Sequence, residues 1–247
     1  MSFTDDERQR YARHILLKEI GGPGQQRLKA ASVAIVGAGG LGAPAALYLA
    51  AAGVGRLRLI DDDTVSLDNL QRQIIFRDAD VGAPKVDRAR AALAALNDNV
   101  AVEIERQRLT EANAAYLLQG ADVVLDGTDD FETRFAVNAA ARSLGVPLVS
   151  GAVGRWDGQV SAFAHDGPCY RCFVPEAPPD AETCSRVGVV GALTGVIGSI
   201  MALEAIKLVA QAGEPLIGRV MLFDGLNGEA RTVALKRDPA CPVCANE

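Results

Sequence analysis

Three observations predict an α/β chain built on a doubly wound, mostly parallel sheet. Short apolar runs alternate with helix-periodic segments through roughly the first 150 residues. A glycine-rich turn, Gly37-Ala38-Gly39-Gly40-Leu41-Gly42, joins the first run to an alanine-rich segment. After Gly151 the alternation gives way to strand-like runs, which read as antiparallel strands extending the sheet.

The elements follow in order. Residues Thr4 to Lys18 read as a helix, broken at Gly21-Gly22-Pro23-Gly24. Ser32–Val36 is a continuous apolar run, the mark of a buried parallel strand. A helix from about Leu41 to Ala52 and a strand at Leu57–Asp61 come next. Pro84 suits the first turn of a helix, whose apolar spacing continues through Val86, Ala89, Leu93 and Leu96. Val100–Ile104 is a third strand, Glu111–Leu118 a helix, Val123–Asp126 a fourth strand, and Glu132–Leu144 a helix before Pro147–Ser150. Gln159–Phe163 and Val220–Phe223 are the added strands, and Pro175 to Pro179 opens a loop that runs to Cys184. The expected plan is one domain over 1–247: a helical arm (1–30), a Rossmann-like core (31–151), and a region (152–247) holding the sheet extension, a crossover loop and the cysteine pairs.

The 247 residues carry 25 basic and 31 acidic side chains, a net charge of −6, which argues against a general nucleic-acid binder. Only His14 and His165 are histidines, so a His-rich metal site or His-centred triad is not expected. The N-terminus is charged and has no apolar leader. The uncharged stretch Val187–Leu203 is 17 residues long and places Gly191, Gly195 and Gly198 on one helix face. It reads as a buried or dimer-interface helix rather than a membrane span. A reduced, cytoplasmic compartment is expected.

The glycine turn sits between strand and helix, where backbone amides can approach a phosphate at the helix N-terminus. Asp61 ends the second strand, 19 residues after Gly42, and suits a ribose hydroxyl pair. These features indicate an adenine nucleotide and leave NAD and ATP open. The polar run Asp61 through Gln73, with the cations Arg72 and Lys85, favours a triphosphate. Asp126-Gly127-Thr128-Asp129 closes the fourth strand and can supply a carboxylate for Mg²⁺.

Two C-x-x-C pairs, Cys169/Cys172 and Cys241/Cys244, suit Zn²⁺ at four thiolates. A redox dithiol and unpaired buried thiols are the alternatives. A redox pair is expected to open a helix, whereas Pro168 and Pro242 suggest turns. The fifth, Cys184, lies at the loop's end beside Arg186 and ahead of the glycine-rich helix, which would lower its pKa. It is read equally as a passive thiol.

The glycine turn, Asp61 with Asn69-Leu70-Gln71-Arg72-Gln73, Gly82-Ala83-Pro84-Lys85-Val86, Asp126-Gly127-Thr128-Asp129 and Arg10-Tyr11-Ala12-Arg13-His14-Ile15 together resemble the ThiF/MoeB/HesA adenylyltransferases, relatives of ubiquitin-activating enzymes. His14 stands where the family commonly has Gln. The resemblance covers nearly the whole chain. It implies ATP-dependent adenylylation of the C-terminal glycine of a ubiquitin-like sulfur carrier ending in Gly-Gly, with pyrophosphate released. By position, Gly37, Gly39, Gly40 and Gly42 form the phosphate turn, with Gly40 against the phosphates. Asp61 holds ribose, Asn69, Arg72, Gln73 and Lys85 meet the nucleotide, and Asp129 holds Mg²⁺. Arg13 reaches into the partner's site across a homodimer, and the four paired cysteines hold structural zinc. Cys184 matches a loop cysteine that bonds covalently to the carrier in some members and is dispensable in others. The resemblance leans to activation of the molybdopterin synthase small subunit, with the thiamine carrier ThiS as alternative. With no rhodanese segment after Cys244, a separate sulfur donor is expected. An NAD-dependent oxidoreductase and a non-catalytic binding module are the rivals.

Overall fold

The computed structural model describes residues 2–178 and 188–245. Its centre is an eight-stranded sheet of order β3-β2-β1-β4-β5-β6-β7-β8. The strands are β1 (Ser32–Val36), β2 (Arg56–Ile60), β3 (Ala101–Glu105), β4 (Val123–Asp126), β5 (Leu148–Gly154), β6 (Asp157–Phe163), β7 (Arg219–Asp224) and β8 (Glu229–Ala234). The first five are parallel, and β5 through β8 pair antiparallel. The helices are α1 (Asp5–Arg10), α2 (Ala12–Ile15), α3 (Gly21–Ala30), α4 (Gly42–Ala51), α5 (Lys85–Leu96), α6 (Ala114–Leu118), α7 (Phe131–Ser143), α8 (Tyr170–Phe173) and α9 (Gly191–Ala210). The doubly wound sheet with its antiparallel extension is therefore as the sequence predicts.

The chain leaves β1 toward β2 and β3, then returns to place β4 on the other side of β1. A crevice opens at such a reversal, outside the carboxyl ends of the strands. Register makes those ends level: Val36 pairs with Ile60 on one side and Asp126 on the other. One apolar cluster, with Leu28, Leu49, Leu57, Leu93 and Ile197, fills one side of the sheet. A second, with Val36, Leu118, Val124, Val137 and Phe163, fills the other.

Three elements differ from expectation. The glycine run does not end the helical arm but opens α3, and the missing side chain at Gly24 lets the chain pack closely there. A Cβ there would lie 2.9 Å from Ile20 and 3.6 Å from Ala210. The β8 strand has six exposed residues and no apolar alternation, so no period-2 signal marks it. The first C-x-x-C does open a helix: Cys169 is the N-cap of the four-residue α8.

α9 is long and apolar enough to cross a membrane by length and composition. Here it packs on α4, β5 and β6. Gly198 lies where a Cβ would be 2.5 Å from the Leu41 carbonyl, and Gly191 where it would be 2.2 Å from that of Gln71. Gly195 faces open space, so only two of the three aligned glycines serve close approach.

Candidate active site

A cleft of about 640 Å³ opens at the carboxyl ends of β1, β2 and β4. That is ample for a nucleotide-sized ligand. Its floor is the glycine turn. Gly37 (φ +86°) donates its amide to the Ile60 carbonyl at 2.9 Å, tying the turn to β2. Gly37, Gly39, Gly40 and Leu41 line the cleft. Gly42 is not among the lining residues, and its role is packing: a Cβ there would fall 1.8 Å from the Gly37 carbonyl oxygen.

Asp61 follows β2 and faces the turn. Its carboxylate accepts the amides of Ala38 (2.7 Å) and Asp63 (2.9 Å). Burial pushes its pKa above the ordinary carboxylate value, against the pull of Lys85 and those two amides. Lys85, at the start of α5, is almost wholly buried, with its Nζ 2.8 Å from the exposed Asp63 carboxylate. The sequence reading gave Asp63 no such role, since an exposed aspartate in an acidic run carries no signal of its partner.

The other predicted nucleotide residues enter from a 3₁₀ turn at Leu67–Asn69 and the loop after it. The Asn69 side-chain oxygen accepts the Ser66 amide at 3.3 Å, while Arg72 donates to the Asp68 carbonyl at 3.0 Å. Gln73 is buried, its Oε1 has no hydrogen-bond partner, and its side chain lies beside Gly39. A buried amide oxygen left this way is a ready acceptor for a ligand donor. Thr194 of α9 donates to the Arg72 carbonyl at 3.2 Å and packs against Gly40.

Asp126 closes β4 and is fully buried. It accepts the Thr128 amide and hydroxyl and the Ser150 hydroxyl. Asp129 lines the cleft, is exposed, and makes no hydrogen bond or ion pair among the described residues. Both its oxygens are open to a divalent cation, the hard oxygen donor that Mg²⁺ requires. Arg13 is exposed on α2 and is not among the residues lining this chain's cleft.

The matched family model is the ThiF family, over residues 11–243. The chain belongs to the ThiF family. It is 46% identical to the sulfur carrier protein adenylyltransferase of Thermus thermophilus, over all of this chain and 94% of that protein. It is likewise 46% identical to the molybdopterin-synthase adenylyltransferase of Escherichia coli, over 98% of each. The SAMP-activating enzyme E1 of Haloferax volcanii is 45% identical over 99% of this chain and 91% of its own. In fold, E. coli MccB solved with ATP matches with a TM-score of 0.84 at 23% identity, over 96% of this chain and 75% of that one.

Within this ThiF chain the four paired cysteines form a second site. Their sulfurs all lie within 4.8 Å of one another, with Cys169–Cys241 at 3.5 Å and Cys172–Cys244 at 3.4 Å. A tetrahedral Zn²⁺ at about 2.3 Å from each sulfur sets them about 3.8 Å apart, so the cage fits one such cation. Burial pushes the Cys244 thiol up to about 12. At Cys241 burial also acts upward, but the amides of Val243 and Cys244 and the thiols of Cys169 and Cys244 together outweigh it and bring the thiol down to about 7. Cys184 lies outside the described residues.

Sequence reasoning did not single out Arg134 or Tyr170 as functional. Both line the cleft. Arg134 is buried in α7 and donates to the carbonyls of Thr128 and, at 3.0 Å, Gly151. Burial opposes its charge, yet Asp126 and Tyr170 outweigh that and raise its pKa. A lone arginine on a helix reads as a solvated face, so no local signal would have found it.

Proposed function

We infer that the chain adenylylates the C-terminal glycine carboxylate of a ubiquitin-like sulfur carrier at the expense of ATP, and that its native carrier is the small subunit of molybdopterin synthase. The observation that carries this reading is the gathering of Asp61, Asn69, Arg72, Gln73, Lys85 and Asp129 around one glycine turn. The names of relatives matched over nearly their whole length agree with it.

The chemistry asks little acid–base work of the protein. A carboxylate is already ionised at neutral pH, so no general base is needed to create the nucleophile. The obstacle is repulsion between that carboxylate and the α-phosphate. Lys85 and Arg72 offset this repulsion and stabilise the added charge of the transition state. Gly39 and Gly40 expose backbone amides to the phosphates, Asp61 takes the ribose hydroxyls, and Asp129 is the residue that would hold Mg²⁺. That ion, when bound, neutralises phosphate charge and favours departure of pyrophosphate. Cys169, Cys172, Cys241 and Cys244 would hold zinc away from the reacting atoms.

Arg13 completes the neighbouring site in a homodimer. Mixing inactive Arg13→Ala and Asp129→Ala chains then restores about a quarter of wild-type exchange, since half the dimers are mixed and one site in each is whole. Cys184 takes the acyl group as a thioester, with AMP leaving, or accepts the outer sulfur of a separate persulfide donor, with the donor's thiol released, in a reducing, cytoplasmic setting. A Cys184→Ser chain that keeps full sulfur transfer removes that role. Carrier-dependent ATP–pyrophosphate exchange tests the main reading. Exchange should appear with the molybdopterin carrier. Exchange with ThiS alone reassigns the pathway, and none with either overturns the reading.

A further inference from the structure

The cysteine knuckle is not a remote staple. The helix it holds, α8, supplies Tyr170 and Phe173, and its C-cap Val174, to the wall of the nucleotide cleft. A four-residue helix has no stability of its own. It is held between two of the clustered cysteines, with Cys169 as its N-cap and Cys172 within it. The same helix grips α7 at three successive points. The Tyr170 amide donates to Asn138 Oδ1 at 2.8 Å, in the buried interior. The Arg171 guanidinium stacks over the Phe135 ring at 4.2 Å. The Tyr170 hydroxyl and ring meet Arg134, at 3.5 Å and 5.9 Å.

Arg134 lies at the other end of this chain of contacts. Its guanidinium holds the Thr128 carbonyl, one residue before Asp129, and the Gly151 carbonyl on β5. Asp130, the N-cap of α7, continues the same loop and accepts the Thr133 amide at 2.8 Å. The loop that presents Asp129 is therefore anchored by a buried cation whose own position is set by a residue inside the knuckle. The two carbonyls take bonds from one end of the guanidinium, Nη2, and the Tyr170 hydroxyl meets the other, Nη1, so Tyr170 adds a third point that fixes the plane of the fork.

We propose that Arg134 is a positioning residue for the Asp129 loop, held by Tyr170, so that metal at the four cysteines sets the affinity of the cleft for Mg·ATP. This rests on the reading of the cleft as an ATP site and the cysteines as a zinc site. The experiment is equilibrium binding of Mg·ATP, without carrier, by titration calorimetry. It uses four proteins: wild type, Arg134→Met, Arg134→Lys and Tyr170→Leu, each with its zinc content measured and then stripped with a chelator. Zinc-loaded Arg134→Met should bind Mg·ATP at least tenfold more weakly than wild type with zinc still at one per chain, and Arg134→Lys should recover part of the loss. Stripping zinc should weaken wild type by a similar factor and weaken Arg134→Met by less than twofold, because the link is already cut. Equal losses on stripping in both proteins overturn the coupling. If stripped wild type unfolds, the zinc-loaded Tyr170→Leu protein decides alone. A weakened affinity with zinc retained supports the link, and wild-type affinity overturns it. A chain that binds no zinc overturns the proposal through its zinc premise. One that binds zinc but no Mg·ATP overturns the reading of the cleft.

Discussion

The nucleotide end of the sheet and the cysteine knuckle are assembled by different means. At the nucleotide end, main-chain bonds set the geometry: Gly37 to Ile60, Gly127 to Val36, and Asp61 to Glu105 all continue the parallel ladder beyond the strands. At the knuckle, Cys169 meets Cys241 across 72 positions. Among the described residues, the clustered sulfurs pack with a small apolar group that includes Val243 and Ala245. The first region is set by sheet register. The second joins segments distant in sequence through its sulfurs, Cys169 to Cys241 and Cys172 to Cys244, and so it is where conditions that change those thiols can act on the fold.

The largest effect that tests this contrast is Asp129→Ala. If the cleft is preorganised, removing this unpartnered carboxylate should lower exchange about 1,000-fold and leave the melting temperature unchanged. A large loss of stability would show that the loop depends on Asp129 for its structure, against the contrast drawn here. Gly42→Ala should do the reverse. Its new Cβ would meet the Gly37 carbonyl at 1.8 Å, a backbone clash that no side chain can relieve. The expected destabilisation is about 3 kcal/mol, read by urea unfolding. Gly39→Ala is the milder companion. Its Cβ would sit 3.4 Å from the flexible Gln73 side chain, so stability should hold. The methyl would stand on the cleft floor, and KM for ATP should rise about tenfold, as for about 1.4 kcal/mol of lost binding.

The same contrast explains what could be read from the sequence. The parallel half is written in local patterns: apolar runs for β1 and β4, a glycine turn between strand and helix, and a carboxylate at the end of β2. Asp61 and Asp129 are therefore legible, because a strand carries each to the same end of the sheet, whereas Arg72 and Lys85 enter from the loop after the 3₁₀ turn and from the start of α5, and only their motif marks them. What was not legible depends on contacts between distant segments. Arg134 matters through Tyr170, 36 residues away. Asp63 matters through Lys85, and β8 exists because β7 offers it an edge. Gly24 looked like a breaker because its neighbours in sequence are also glycines and a proline. Its use is set by the Ile20 side chain, 2.9 Å from where a Cβ would lie.

The smallest effect concerns the N-terminal arm, another region held by side chains. The Glu7 carboxylate accepts the Thr4 amide at 2.8 Å and is paired with Lys29 of α3 at 2.7 Å. The Lys29 hydrogen bond, then that of the Thr4 amide, hold the Glu7 pKa below its ordinary 4.5. A carboxylate depressed on folding stabilises the fold above its unfolded pKa. That contribution is lost as pH falls through the lower, folded value. Glu7→Gln should therefore be less stable than wild type by about 1 kcal/mol at pH 7, and the gap should shrink steadily below pH 4.5. Parallel urea titrations at neutral and acid pH measure it. A gap that stays constant through the acid range would mean that the arm is held by shape and packing rather than by this charge. The arm would then share the nucleotide end's mode of assembly, and the division between the two kinds of region would not extend to Arg13, which the arm carries.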